Sequence, residues 1–288
     1  MKKIAFLAAA FILATCLNAC SGAPAASSAG PAGSDDGIVM EAGNVEEHTV
    51  EAIQARGKLV VTTEAGYAPF EFLDEEGNIV GLDASLAQAL ADDLGVELDM
   101  QNIAFDSVVT EVQAGNADMA IAGLTPNAKR KQSVDMSELY YGGGQCMLVL
   151  AENAEQYSTK ENFDGEVMAT QRAALQQMLM EEQFPNATPL LLPDFPQCVM
   201  SLMNGDCAAV LIDRVSAEQY LKTMEGLAIG AVPVETDPEE NGNAVAVMKG
   251  NTSLLKWVNA RIAEYEAEGL IQQWFEEAQQ QAETMGLE

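Results

Sequence analysis

The residues best suited to chemistry stand together in one decapeptide, Ile121-Ala-Gly-Leu-Thr-Pro-Asn-Ala-Lys-Arg130. An apolar run from Asp118 to Ala122 ends at Gly123, Thr125 is a good helix N-cap, and Pro126 is a natural first helical residue. A helix starting there leaves its first N–H groups unpaired, and its dipole favours an anion in front of them. Arg130, one turn on, can offer a planar, two-pronged contact to a carboxylate. The stretch therefore predicts a carboxylate site built from a strand end and a helix start. A capped helix carrying a solvated arginine reads equally well from these residues alone.

The flanking pattern must place that site. Val50 to Arg56 reads as a short helix ended by Gly57, and Lys58 to Thr62 as a strand. Thr63 to Phe72 follows as a loop carrying Glu64, Tyr67 and two more aromatics, because Gly66 and Pro69 exclude a regular helix. Asp74 to Asn78 is a turn, and Gly81-Leu-Asp83 opens a helix whose Leu82, Leu86, Leu90 and Leu94 share one face, stopped by Gly95. Val96 to Met100 alternates as a strand, Ser107 to Ala114 is a helix with Val108, Val109 and Val112 inward, and Asp118 to Ala122 is the next strand. Strands alternating with helices make a parallel α/β sheet, whose ligands bind beyond the strand C-terminal ends. That rule puts Glu64, Tyr67, Phe105 and the segment from Gly123 to Arg130 on one rim.

Composition and the N-terminus narrow the class. A chain of 288 residues with 48% hydrophobic content can bury a substantial core in one or two domains. Its net charge of −30 repels nucleic acid and anionic lipid, which removes nucleic acid as a partner. Lys2 and Lys3 precede an apolar run from Ile4 to Ala14, too short to span a bilayer comfortably, and then Leu17-Asn18-Ala19-Cys20. This resembles a bacterial lipobox, in which cleavage before Cys20 leaves that cysteine lipidated and takes the net charge to −32. An ordinary signal peptide and an uncleaved anchor are the alternatives. Residues 1–20 are thus expected to be a lipoprotein signal with its lipidated Cys20. Residues 21–47, rich in Ala, Gly, Ser, Pro and acids, are expected to be a flexible spacer. The mature protein is expected to be extracytoplasmic and lipid-anchored to the cell membrane.

The run Gly57-Lys-Leu-Val-Val-Thr-Thr-Glu-Ala-Gly-Tyr-Ala-Pro-Phe-Glu-Phe72, with Gly81-Leu-Asp83, Phe105-Asp106, Gly115-Asn-Ala-Asp118, Gly123-Leu-Thr125 and Arg130, resembles a known family. It is similar to the polar amino-acid class of extracellular solute-binding proteins of ABC importers. The likeness continues in order through Tyr140-Tyr141, Asn204-Gly205-Asp206 with Asp213, and Ala244-Val-Ala-Val-Met-Lys-Gly-Asn251. It implies an α/β fold of two lobes, with two mostly parallel sheets flanked by helices and joined by a two-strand hinge. Residues 48–143 and 240–288 would form a discontinuous lobe 1, and residues 144–239 lobe 2. Tyr140-Tyr-Gly-Gly-Gly-Gln145 fits the first crossing, since consecutive glycines allow the rotation a hinge needs. Gln145 to Ala151, Glu166 to Thr170, Thr188 to Leu192 and Ala208 to Ile212 would be lobe 2 strands, with helices at Ala173 to Glu182 and Gln197 to Met203. The return crossing would lie near Val232 to Gly242, and Ala244 to Met248 with a helix from Ser253 to Glu268 would rejoin lobe 1.

The resemblance also implies roles. Arg130, with amides near Thr125 and in the helix after Gln171, where Leu175 lies, would hold the α-carboxylate of a free amino acid. Asp213 would hold the ammonium, helped by the Gly123 carbonyl and the Thr125 hydroxyl, and Tyr67 and Phe105 would sandwich the side chain. Asp213 as a cap of a helix beginning at Val215, and Phe105 as plain core, are the structural alternatives. The family usually has Gly then Ser or Thr where this chain has Ala173-Ala174, so a hydroxyl contact is lost and Gln176 becomes an additional contact. Glu64 replaces an Asp common in cationic-amino-acid binders. Beside aromatic faces it suits a guanidinium or ammonium, and it could equally bond a neutral Gln-like side chain or cap an amide. The implied partners are a free amino acid, ABC importer permease subunits and, through the lipid anchor, the membrane; the protein is expected to be a monomer without cofactor.

Enzyme motifs are missing from the sequence. His48 is the only histidine, which leaves no Ser-His or metal-His site, and neither a catalytic residue nor a metal is expected. Cys20, Cys146, Cys198 and Cys207 show no Cys-x-x-Cys spacing. Helix rise separates Cys198 from Cys207 by roughly 9 Å, so a disulfide between them is not favoured. Two competing classes are an enzyme on the same scaffold, like cyclohexadienyl dehydratase with Glu64 as the acid, and a binding module that feeds a sensor. Against the enzyme, Arg130 and Asp213 together satisfy a zwitterion and leave no spare positioned acid–base pair.

Overall fold

The computed structural model describes residues 43–286. The expected signal, Cys20 and most of the spacer lie outside the described residues. The end of the spacer is folded: the Asn44 side chain caps a turn of 3-10 helix at Val45–His48, and the Gly43 amide donates to the Gln113 carbonyl at 3.0 Å. His48, the first residue of the expected lobe 1, is buried, with Nδ1 2.7 Å from Asp118 Oδ1. Asp118 also accepts from Arg56 at 2.5 Å and from the Val60 amide at 2.8 Å, which pins the first helix to the strand beside it.

Thr49 caps α1 (Val50–Arg56), Gly57 closes it, and β1 (Lys58–Thr63) follows. The loop expected to Phe72 contains a small antiparallel sheet made of β2 (Gly66–Tyr67), β3 (Glu71–Leu73) and β4 (Ile79–Val80). Strands of two or three residues are too short for alternation to announce them. Next come α2 (Leu82–Leu94), which buries all four of its leucines at the predicted spacing, β5 (Glu97–Asn102), α3 (Phe105–Ala114) and β6 (Met119–Ala120).

The helix expected at Pro126 does not form. Residues 121–129 are irregular, and α4 is a single turn, Arg130–Ser133, with Lys129 at its N-cap. The Asn127 amide donates to the Thr125 carbonyl at 2.9 Å, and the Asn127 side chain accepts from the Arg130 amide at 2.8 Å. These local bonds offer the backbone an alternative to the helical ladder.

β7 (Val134–Gly142) passes through Gly143 and Gly144 into β8 (Gln145–Leu150). The second lobe continues with β9 (Val167–Gln171), α5 (Leu175–Gln183), β10 (Thr188–Leu192), α6 (Phe195–Met203), β11 (Ala209–Asp213), α7 (Arg214–Thr223) and β12 (Leu227–Ile229). The chain returns through β13 (Gly242–Met248) to α8 (Thr252–Glu268) and α9 (Leu270–Met285). Two five-stranded sheets result among the described residues, ordered β5-β1-β6-β13-β7 and β10-β9-β11-β8-β12. In each, three neighbouring strands are parallel and the last two pairings antiparallel, because the strand that enters each lobe from a crossing, β13 in one and β8 in the other, runs against the rest. The crossings lie side by side: Gly142 pairs with Gly242, and the Gly143 amide donates to the Asn241 carbonyl at 3.2 Å. This is a two-lobed α/β fold with a two-strand hinge.

Candidate functional site

The C-terminal ends of the parallel strands in both sheets converge on a narrow cleft with a cavity volume of about 30 Å³ that opens to solvent. Tyr67, Phe105, Gly123, Thr125 and Arg130 line it from one lobe, and Gln171, Leu175, Gln176 and Asp213 from the other.

Arg130 reaches across the cleft. Its Nη1 donates to the Thr125 carbonyl at 2.9 Å and its Nη2 to the Ala173 carbonyl at 3.2 Å, while the guanidinium lies 5.5 Å over the Phe105 ring. Among the described residues no carboxylate lies within ion-pair distance of it. Burial without a counter-charge pushes its pKa down to about 10. A half-buried cation of this kind is suited to an anion. The helix start that faces the cavity is that of α5: Ala174, Leu175 and Gln176 all line the cleft, and no side chain caps them. The anion-favouring end of a helix is thus supplied by the second lobe instead of the predicted Pro126 turn.

Asp213 is the N-cap of α7, its Oδ1 accepting from the Ser216 amide at 3.0 Å, and its Oδ2 accepts from the Tyr67 hydroxyl. The structural alternative and the cleft position are therefore both realised in one carboxyl. Burial raises its pKa, and the bonds from Tyr67 and Ser216 partly offset that. Ser216 Oγ donates to the Ala68 carbonyl at 2.9 Å, adding a second bond between the lobes here.

Two expectations need correction. Tyr67 does not pair with Phe105 as two faces of a sandwich: its ring stacks on Phe70 at 5.2 Å and on Phe195 at 5.1 Å. Glu64 does not line the cavity. Its Oε2 accepts at 2.9 Å from Gln171 Nε2, which also donates to the Pro193 carbonyl at 3.0 Å, so Glu64 stands one residue behind the cleft wall. Burial raises the Glu64 pKa to about 7; the Gln171 bond lowers it and nearby Asp194 raises it further.

Several lining residues were missed. Phe195 starts α6 immediately beyond β10, where the strand-end rule applied to the second lobe would have found it. Gln145, at the first position after the glycine crossing, accepts from Gln176 Nε2 at 2.7 Å and fixes that side chain. Asn243, at the start of the return strand, is buried with its Nδ2 unpartnered, and no sequence signal marked it. Gly123 adopts φ +55°, and a Cβ there would lie 2.7 Å from the Tyr67 ring, so this residue must be glycine for the ring to reach Asp213. Ala173 takes φ +62° without that freedom, where the family pattern has glycine. Cys146, Cys198 and Cys207 are buried and unbridged.

This two-lobed cleft, with a lone cation on one wall and a carboxylate on the other, agrees with the family match, which covers residues 59–278: the chain belongs to the bacterial extracellular solute-binding proteins, family 3. It is 30% identical over 227 residues to the arginine-binding extracellular protein ArtP of Bacillus subtilis (strain 168), covering 76% of this chain and 86% of that one. It is 28% identical over 235 residues to the L-cystine-binding protein TcyJ of Escherichia coli (strain K12), covering 80% and 87%. Among solved structures it resembles an amino acid ABC transporter substrate-binding protein from Streptococcus pneumoniae Canada MDR_19A bound to L-arginine. The TM-score there is 0.76 and the identity 35%, covering 80% of this chain and 97% of that one. The protein is an extracytoplasmic binding protein, as its family is.

Proposed function

We propose that the protein captures a free L-amino acid with a cationic side chain between its lobes and presents it to the permease of an ABC importer. The observation that carries this reading is the placement of Arg130 and Asp213 on opposite walls of one cleft, each without a charged partner among the described residues. Arg130 and the α5 amides at Leu175 and Gln176 take the α-carboxylate. Asp213, with Gly123 and Thr125, takes the ammonium. The side chain runs along Tyr67, Phe105 and Phe195 toward Gln171, with Glu64 behind it supplying the counter-charge. Lobe 1 comprises residues 48–143 and 240–288 and lobe 2 residues 144–239, and ligand closes them about Gly142 to Gly144. A lipid on Cys20 would tether a monomer at the membrane while residues after it let the lobes reach the permease.

The Glu64–Gln171 bond supports a second reading, a neutral polar side chain that pairs with the Gln171 carboxamide. A thermal-shift screen of the twenty amino acids and cystine separates the two. Stabilisation by arginine and lysine above all others is the expected result. A response led by glutamine or cystine selects the second reading, and no response to any of them overturns both.

A further inference from the structure

Beneath Gly123, away from the cleft surface, two acids are buried against each other. Glu71 is 1% exposed and Asp83 is fully buried, and their carboxyls are in hydrogen-bond contact. Both are held rigidly. Glu71 sits on β3 opposite Tyr67, and Asp83 lies in the first turn of α2, where its amide donates to the Phe70 carbonyl at 2.8 Å. Two carboxylates in contact inside a protein cannot both be ionised, so the pair shares a proton. Its location follows from the remaining partners. Asp83 Oδ2 accepts from the Gly123 amide at 2.8 Å and Oδ1 from the Tyr140 hydroxyl at 2.8 Å. Both Asp83 oxygens are thus engaged as acceptors, the arrangement that favours the ionised form. Glu71 has one carboxyl oxygen, Oε2, with no partner at all. The proton therefore belongs to Glu71, whose carboxyl donates to Asp83.

We propose that Glu71 is a positioning residue for ligand binding: as a neutral donor it fixes the Asp83 carboxylate, and through it both the Gly123 loop and Tyr140 of hinge strand β7. This rests on the reading of Gly123 as part of the ammonium site. One carboxylate then ties a residue lining the cleft to the strand that leads into the first crossing, so loosening it disturbs the ligand wall and the hinge together. The groups facing Glu71 are Asp83 from α2, Tyr140 from β7, Tyr67 from β2, Glu64 from the preceding loop and Asp213 from the other lobe. None is a cation, and burial followed by these acids pushes the Glu71 pKa well up. Ionisation of Glu71 would set a second negative charge against Asp83 and release the pair.

The test uses Glu71→Gln, which is neutral and keeps a donor, and Glu71→Leu, which is neutral and has none. The infrared difference spectrum of wild type minus Glu71→Gln at neutral pH should contain one protonated-carboxyl C=O stretch that the variant has lost, the contribution of Glu64 being common to both. Calorimetry with L-arginine should find Glu71→Gln within about threefold of the wild type and Glu71→Leu weaker by about tenfold, with unchanged circular dichroism. If Glu71→Leu does not fold, the infrared band and the affinity of Glu71→Gln decide. The proposal is overturned if Glu71→Gln loses no such band, or if it binds more than about tenfold more weakly than the wild type. Failure of the wild type to bind any amino acid would instead remove the reading of the cleft, while the band would still report on the proton of Glu71.

Discussion

The Tyr67 hydroxyl and the Asp213 carboxylate meet across the cleft, and Asp213 divides its two oxygens between that phenol and the cap of α7. A ligand ammonium has to share or displace the phenol at Oδ2, whereas Oδ1 stays with the Ser216 amide. Asp213→Asn should therefore keep the protein folded, because an Asn oxygen can still accept at an N-cap. It should weaken an L-amino acid by about 2 to 5 kcal/mol, the range for breaking a desolvated charge pair, and affect the des-amino analogue much less. Calorimetry with both compounds checks this, and equal losses would make Asp213 a cap only.

Ala173 provides a test on the folded state. Its φ of +62° is a conformation that costs an L-residue roughly 1 to 2 kcal/mol, and glycine avoids that cost at the expense of some unfolded-state entropy. Ala173→Gly should raise unfolding stability by about 0.5 to 1 kcal/mol, measured by denaturant titration without ligand. A loss of stability would mean that the left-handed conformation is not adopted in solution.

Much of this architecture was legible in the chain itself. The four-residue spacing of Leu82, Leu86, Leu90 and Leu94 announced α2, and the alternation of strands and helices located the rim on which Tyr67, Phe105, Gly123 and Arg130 stand. What failed was local. Thr125-Pro126 has the composition of a helix start, but the Asn127 side chain and the Thr125 carbonyl capture the amides such a helix would need. Glu64 is expected at the ligand because it replaces an Asp of cationic-amino-acid binders in the loop that carries Tyr67. Whether it points inward depends on Gln171, which is distant in sequence and reaches it only when the lobes meet. The return strand was expected, but Asn243 inside the cleft depends on the register of β13 against β7, which no pattern in the sequence encodes.

Glu64 should make the ligand-free protein sensitive to mildly acidic pH. Its folded pKa of about 7 lies above the ordinary 4.5 of a glutamate, chiefly through burial, so the folded state holds the proton more tightly than the unfolded chain. The stability it contributes is present below about pH 4.5 and is lost as pH rises toward 7. Melting temperatures should accordingly fall across that window in the wild type and fall less in Glu64→Gln. Parallel curves for the two proteins would show that Glu64 is not the titrating group.

The same substitution tests side-chain selectivity. If Glu64 answers a cationic side chain through Gln171, Glu64→Gln should cost arginine and lysine tenfold or more, by the strength of a charge-assisted bond, and leave glutamine within about threefold. Competition binding against one labelled amino acid gives the ratios directly. Similar losses for charged and neutral ligands would assign Glu64 to holding Gln171 alone.

Arg130, the proposed anchor of the α-carboxylate, is a half-buried guanidinium that bonds only backbone carbonyls and stacks on Phe105. The most direct measurement is calorimetric titration of wild type and Arg130→Ala with the amino acid that the wild type binds best, on protein whose fold is verified by circular dichroism. Removing Arg130 is expected to lower affinity by thirtyfold or more, the lower end of about 2 to 5 kcal/mol for a desolvated charge pair. A loss of less than about threefold would contradict the carboxylate clamp and with it the proposed function.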